Sequence, residues 1–175
     1  MTILEVIKAP DPILKKKAKP VDLVDDSIRD IMDNMLDTMY HDKGVGLAAN
    51  QVGILKRIVV IDLQDDDDME RTESFYPLFM ANPTIMECSD EMIEATEACL
   101  SVPDQKVDVL RHASVKVRYL DYNNKEQELE SSDWLARAIQ HEIDHLDGKL
   151  LLDYLSNLKR NVVIRKLTKL KKLSA

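Results

Sequence analysis

An α+β fold is predicted by three features of the sequence. These are an amphipathic helix near the N-terminus, a run of short strand-like segments after it, and a second helix that carries two of the four histidines. Within residues 20–44, Ser27 can serve as N-cap. Ile28, Ile31, Met32, Met35, Leu36 and Met39 recur at helical spacing on one face, and Gly44 offers a stop. Because Met fills irregular gaps, this stripe reads as core packing. Arg57–Leu63 is β-branched and apolar, a buried strand. Asp65 to Asp68 stand in a row within the polar stretch 64–73, which reads as a solvated loop. A calcium site there would lack the glycine and spaced ligands of an EF-hand loop. Leu78–Ala81, Ile85–Cys88 and Met92–Thr96 read as short strands, with Cys88 as a small buried hydrophobe. Val115, Val117 and Tyr119 alternate with Lys116 and Arg118, and Asn123-Asn124 offers a turn into Glu126–Glu130 to make a hairpin. Ser131 or Ser132 then caps the second helix, Asp133 suits its positive end, and Gly148 lies just past its last turn. From Leu155 onward helical spacing returns.

Composition narrows the function classes. At 175 residues, with 45% hydrophobic and 32% charged residues, the chain suits one domain with a real core, and no repeat or linker divides 1–175. The formal net charge is −8, which argues against a DNA binder or an anionic-membrane binder. No apolar run approaches a membrane span, and no signal peptide is visible. Two cysteines cannot staple a fold of this size, so a reduced cytoplasmic setting is expected. The charge is polarised: residues 154–175 hold seven basic residues and no acidic one. The remainder, with 17 basic and 32 acidic residues, stands at −15.

The segment His141-Glu142-Ile143-Asp144-His145 carries chemistry. Four residues is about one helical turn, so both imidazoles leave one face about 6 Å apart at Cβ, a separation that suits two ligands of one metal. Glu142 lies roughly 100° round from His141 and about 60° from His145, so it can flank a metal and act on a bound water without being a ligand. This makes the second helix a central metal-binding helix among short antiparallel strands. A third ligand is needed. His41, His112 and several carboxylates are candidates, and Cys99, in Glu97-Ala98-Cys99-Leu100-Ser101, is the stronger choice. A third segment, Gly44-Val45-Gly46-Leu47-Ala48-Ala49-Asn50-Gln51, is rich in small residues that permit close approach, and it fits neither phosphate-loop pattern.

Together the three segments resemble the peptide deformylase family. Its members share a Gly-rich motif ending in Gln, a Glu-Gly-Cys-Leu-Ser motif, and H-E-x-x-H followed by Leu, in this order. Gly44 to Gln51 matches the first, Gln140 through Leu146 the third, and the second matches except that Ala98 stands for Gly. Ile7–Leu14 and Val115–Tyr119 also look like the family, so the resemblance runs from about residue 3 to about 160. It implies a hydrolase that removes the N-formyl group from the terminal formyl-methionine of nascent polypeptides. By that resemblance Cys99, His141 and His145 hold one divalent metal. Fe(II) comes first, and zinc, nickel or cobalt can occupy the same ligands. Glu142 takes a proton as metal-bound hydroxide attacks, then gives it to the departing amine. Gln51 and the Leu100 backbone N–H stabilise the oxyanion, and Val45 and Gly46 border the substrate. Arg137 falls where apolar residues often line the methionine pocket; its stem can line that pocket while the guanidinium reaches water. The basic tail 154–175 resembles C-terminal helices implicated in ribosome contact, and is otherwise a solvated helix that partly neutralises an acidic body.

Two other readings remain. A zinc endopeptidase shares H-E-x-x-H but takes its third ligand downstream, where only Asp153 and basic residues follow. A catalytically silent binding module could follow if a methyl at Ala98 disturbed the site. The strain would cost about 1 kcal/mol or more if that position needs positive φ, and nothing otherwise.

Overall fold

The computed structural model describes residues 2–64 and 75–174. The fold is α+β, built from seven strands and three helices among the described residues. Strand β1 is Gly46–Ala48, β2 Ile58–Ile61, β3 Leu78–Cys88, β4 Met92–Cys99, β5 Val102–His112, β6 Ser114–Leu120 and β7 Glu126–Ser132. The helices are α1, Asp26–His41; α2, Asp133–Leu146; and α3, Asn157–Leu173. An antiparallel sheet runs β1-β2-β3-β6-β7, and β4 and β5 form a separate two-stranded sheet.

Helix α1 starts one residue before Ser27: Asp25 is its cap, and the Asp25 carboxylate accepts the Ile28 N–H at 3.0 Å. An ionised carboxylate at the positive helix end outcompetes the neighbouring hydroxyl. Its far end closes before Gly44. The Lys43 N–H donates to Tyr40 O and the Gly44 N–H to Met39 O, with Lys43 itself in the left-handed region at φ 60. Gly44 has no positive φ. A Cβ there would instead lie 2.8 Å from the Leu100 side chain, so the glycine answers to a neighbour. Met32, Met35 and Met39 are buried against Leu47, Ile58 and Val60, as core.

The two strands expected at 78–81 and 85–88 are one. Asn82, at φ 51, and Pro83 bulge β3 between them, and the Asn82 amide exchanges hydrogen bonds with both the N–H and the C=O of Val21. Cys88, expected to be buried, is exposed, because it ends β3 at the sheet rim. Strands β1 and β5 have no counterpart in the sequence reading. β1 is three residues inside the Gly-rich segment, and Pro103 with Asp104 and Asp108 obscured the alternation of Val107, Val109 and Arg111 in β5. The aspartate run 65–68 lies outside the described residues. No described helix is long and apolar enough to cross a membrane.

Helix α2 positions the site because its two faces differ. Leu135, Ile139, Ile143 and Leu146 pack on Val59, Ile61, Val115 and Val117 of the large sheet. Arg137, Gln140, His141 and Asp144 turn to the β4–β5 sheet and meet it through polar bonds. The turn after Leu146 closes at Gly148, φ 77, where the Lys149 N–H donates to Asp144 O and the Gly148 N–H to His145 O. A Cβ on Gly148 would stand 2.3 Å from the Lys15 carbonyl oxygen, which is backbone and cannot swing away. Left-handed backbone alone costs an L-residue about 1–2 kcal/mol, and the overlap adds to it. Gly148→Ala should therefore lower unfolding free energy by about 2 kcal/mol or more, read from the denaturant midpoint. An unchanged midpoint would show that the turn relaxes without cost.

Candidate metal centre

Three chain segments meet at one end of α2. Strands β4 and β5 pair at Cys99 and Val102, so Leu100 and Ser101 form the hairpin tip and Cys99 is the last residue of β4. The 3-10 turn Ala49–Val52, after β1, delivers Gln51. Residues 7–9 staple these two segments together: the Ile7 N–H donates to Gln51 O at 2.7 Å and the Ala9 N–H to Ser101 O at 2.8 Å. The third segment is α2 itself.

Cys99 Sγ lies 3.3 Å from His145 Nε2, which lies 3.2 Å from His141 Nε2. All three ligand atoms fall within 4.8 Å of one another. The other two histidines are elsewhere, His41 against Asp42 and His112 against Ser89 O. A thiolate and two imidazoles converging on one small space fit a divalent transition-metal ion. Burial works to lower the His141 pKa, but its bonds to Cys99 and Glu97 outweigh that and hold it well above the ordinary value. Burial and the His141 charge push His145 well below it.

Glu142 is buried beside the pair, and burial raises its carboxyl to about 7 against the opposing pull of His141 and Arg111. Its Oε2 has no hydrogen-bond partner, and a Cβ on Gly46 would lie 2.5 Å from its Oε1. Gly46 is therefore the space the carboxyl occupies. The Gln51 amide is fixed at both ends: Oε1 accepts the Ala48 N–H at 2.9 Å, and Nε2 donates to Ser101 Oγ at 3.0 Å and approaches Cys99 Sγ at 3.6 Å. A cleft of about 700 Å³ opens over this group, and Val45, Gly46, Gln51, Leu100, Arg137 and Glu142 all line it. Ala98 has no positive φ and its side chain is exposed, so the methyl costs no strain.

Arg137 lines the cleft as expected of its stem, but its guanidinium does not reach water. Nη1 donates to Glu97 Oε2 at 2.5 Å and to Val109 O at 2.9 Å, and Nη2 donates to Ile93 O. A buried carboxylate is a stronger partner than solvent. That carboxylate, Glu97, had no role in the sequence reading. Its Oε1 accepts His141 Nδ1–H at 2.8 Å, and Arg111 grips both oxygens at 2.6 and 2.8 Å. Burial alone would raise its pKa, but Arg111 and His141 hold it at about 2. Arg111 also donates to Asp144, which accepts the Tyr154 hydroxyl. The available signal was a charged Arg111 on the inward face of β5, in step with Val107 and Val109.

The polypeptide deformylase family model matches residues 3–161. A peptide deformylase of Rickettsia akari is 59% identical over 171 residues, 98% of each chain, and that of Rickettsia canadensis is 60% identical over the same share. Among solved structures, a peptide deformylase from Ehrlichia chaffeensis superposes with TM-score 0.91 at 38% identity, covering 99% of both chains. The same organism's enzyme in complex with actinonin gives 0.90 at 40%, covering 97% of this chain and 98% of that one. Likeness of this extent, running almost end to end in both chains, makes this chain a member of the polypeptide deformylase family.

Proposed function

We propose that this enzyme hydrolyses the N-formyl group of formyl-methionine at the start of nascent polypeptides, releasing formate. The observation that carries the reading is the convergence of Cys99, His141 and His145 beside a buried, unpaired carboxyl oxygen and a fixed amide donor. We assign one divalent ion per chain to those three ligands, with Fe(II) as the native metal; the donor set also accepts zinc, nickel or cobalt. When bound, such an ion supplies a Lewis acid that acidifies water and polarises a carbonyl.

The chain's own residues do the rest. Glu142, its carboxyl at about 7, can accept a proton near neutrality and return it from the same oxygen to the departing amine. Gln51 Nε2, locked by Ala48 and Ser101, donates to the oxygen that gains charge, with the Leu100 N–H as second donor. Preorganisation of this kind costs nothing at the moment of reaction. Strand β1 is the sheet edge beside the cleft, so an extended peptide can pair with Gly46 while Val45 borders its side chain. The stem of Arg137 forms part of the wall for the methionine. An endopeptidase reading is disfavoured by the upstream thiol ligand, and a matched peptide without a formyl group should stay uncleaved. Two free cysteines agree with a cytoplasmic setting.

Helix α3 packs through Val163 and Leu167, leaving Lys159, Arg165, Lys166 and Lys169 exposed beside Leu158 and Leu173. We assign this basic face to the ribosome.

Cys99→Ser should lower metal occupancy and abolish deformylation, measured by metal analysis on anaerobically purified protein; full occupancy with unchanged turnover would place the third ligand elsewhere. Glu142→Gln should keep the metal and lose about 10²–10⁴-fold in rate, because an amide cannot carry the proton. Wild-type turnover of a formyl-Met peptide would remove Glu142 from the mechanism. Arg165→Glu/Lys166→Glu/Lys169→Glu should abolish low-salt co-sedimentation with ribosomes while sparing hydrolysis of a short peptide. Equal co-sedimentation would leave α3 a structural helix.

A further inference from the structure

The β4–β5 sheet carries one metal ligand, Cys99, and α2 carries the other two. No third strand pairs with β4 or β5 among the described residues, and a two-stranded sheet is marginal by itself. The joint between hairpin and helix therefore helps set the distance between thiolate and imidazoles, beside the bonds that Ala9 and Gln51 make to Ser101 at the hairpin tip. One residue spans that joint most fully. From α2, the Arg137 guanidinium bonds the Ile93 carbonyl on β4, the Val109 carbonyl on β5 and the Glu97 carboxylate two residues before Cys99. Its side chain is 8% exposed and Glu97's is 6%. Charge supports the same reading. Arg111 is shared between Glu97 and Asp144, two carboxylates on one guanidinium, and Arg137 supplies the second positive charge.

We propose that Arg137 is a positioning residue: it locks the Cys99-bearing hairpin to the histidine-bearing helix and so sets how firmly the three ligands hold the metal. This rests on the metal assignment made above. None of the three partners of the Arg137 guanidinium is a ligand. It acts through the Ile93 and Val109 backbones and through Glu97, whose other oxygen orients His141. A guanidinium is suited to this because its planar fork can bond several acceptors at once, which an ammonium on a flexible stem does less well.

The test uses cobalt-loaded full-length protein, with two readouts besides activity: the thiolate-to-cobalt charge-transfer absorption and the rate of cobalt release to a chelator. Arg137→Met keeps the stem that lines the cleft and loses the three bonds. It should release cobalt about 10-fold faster and shift the charge-transfer band, as loss of outer-sphere support does elsewhere. Arg137→Lys, which keeps the charge without the fork, should fall between the two. Arg118→Met, which breaks an exposed ion pair with Glu128, should match wild type. If both Arg137 variants release cobalt at the wild-type rate with an unchanged band, the proposal is overturned, even where KM rises; Arg137 would then be cleft wall alone. If wild type itself gives no thiolate band and no deformylation, the metal assignment falls as well.

Discussion

The Glu97 carboxylate is the constraint on which the site depends. It is buried, ionised, and met by four donors from three residues on two elements: two from Arg111 on β5, one from Arg137 and one from His141 on α2. Taking a carboxylate out of water costs several kcal/mol, and only near-complete hydrogen bonding offsets that. The offset here is also a set of directions. Each donor can satisfy the carboxylate only if its backbone stands where it does, so one anion fixes the hairpin, the helix and one imidazole together. Stripping a single partner from such a cluster typically costs about 3–5 kcal/mol, since the rest stay buried and uncompensated.

Helix α2 accordingly works as a divider between two kinds of packing. Against the large sheet it offers Leu135, Ile139, Ile143 and Leu146, a contact made by area and tolerant of small shifts. Against the hairpin it offers Arg137, Gln140, His141 and Asp144, a contact made by direction. Gln140 shows the difference plainly: its amide takes the His112 N–H and gives to the His112 carbonyl, as a neighbouring strand would. The sheet gives the helix its place, and the polar face gives the ligands their aim.

Much of this was legible because it is local. One-turn histidine spacing, the Met stripe of α1 and the hairpin turn at Asn123-Asn124 depend on residues within a few positions of each other. Cys99 needed more, since its role depends on a helix some 40 positions away, and the motif order supplied what periodicity did not. What escaped were features set by partners distant in sequence. Glu97 and Arg111 look like ordinary surface charges until β4 and β5 pair and α2 lands on them. Arg137 looked free to reach solvent because the acceptors that hold it, at 93, 97 and 109, lie 28 to 44 positions upstream. Strand β1 was hidden by its three-residue length.

The glycines of the first motif have a meaning that backbone angles do not convey. Neither Gly44 nor Gly46 adopts positive φ; each is small because something stands against it, the Leu100 side chain for one and the Glu142 carboxyl for the other. Leu100 could yield at the end of a flexible chain, so position 44 has some latitude. Position 46 has none without chemical loss. A methyl there would have to displace the carboxyl, and a residue at 142 short enough to make room could not play the proton-carrying part proposed for Glu142. The two positions are thus coupled in one direction: any side chain at 46 must be accommodated by the carboxyl at 142.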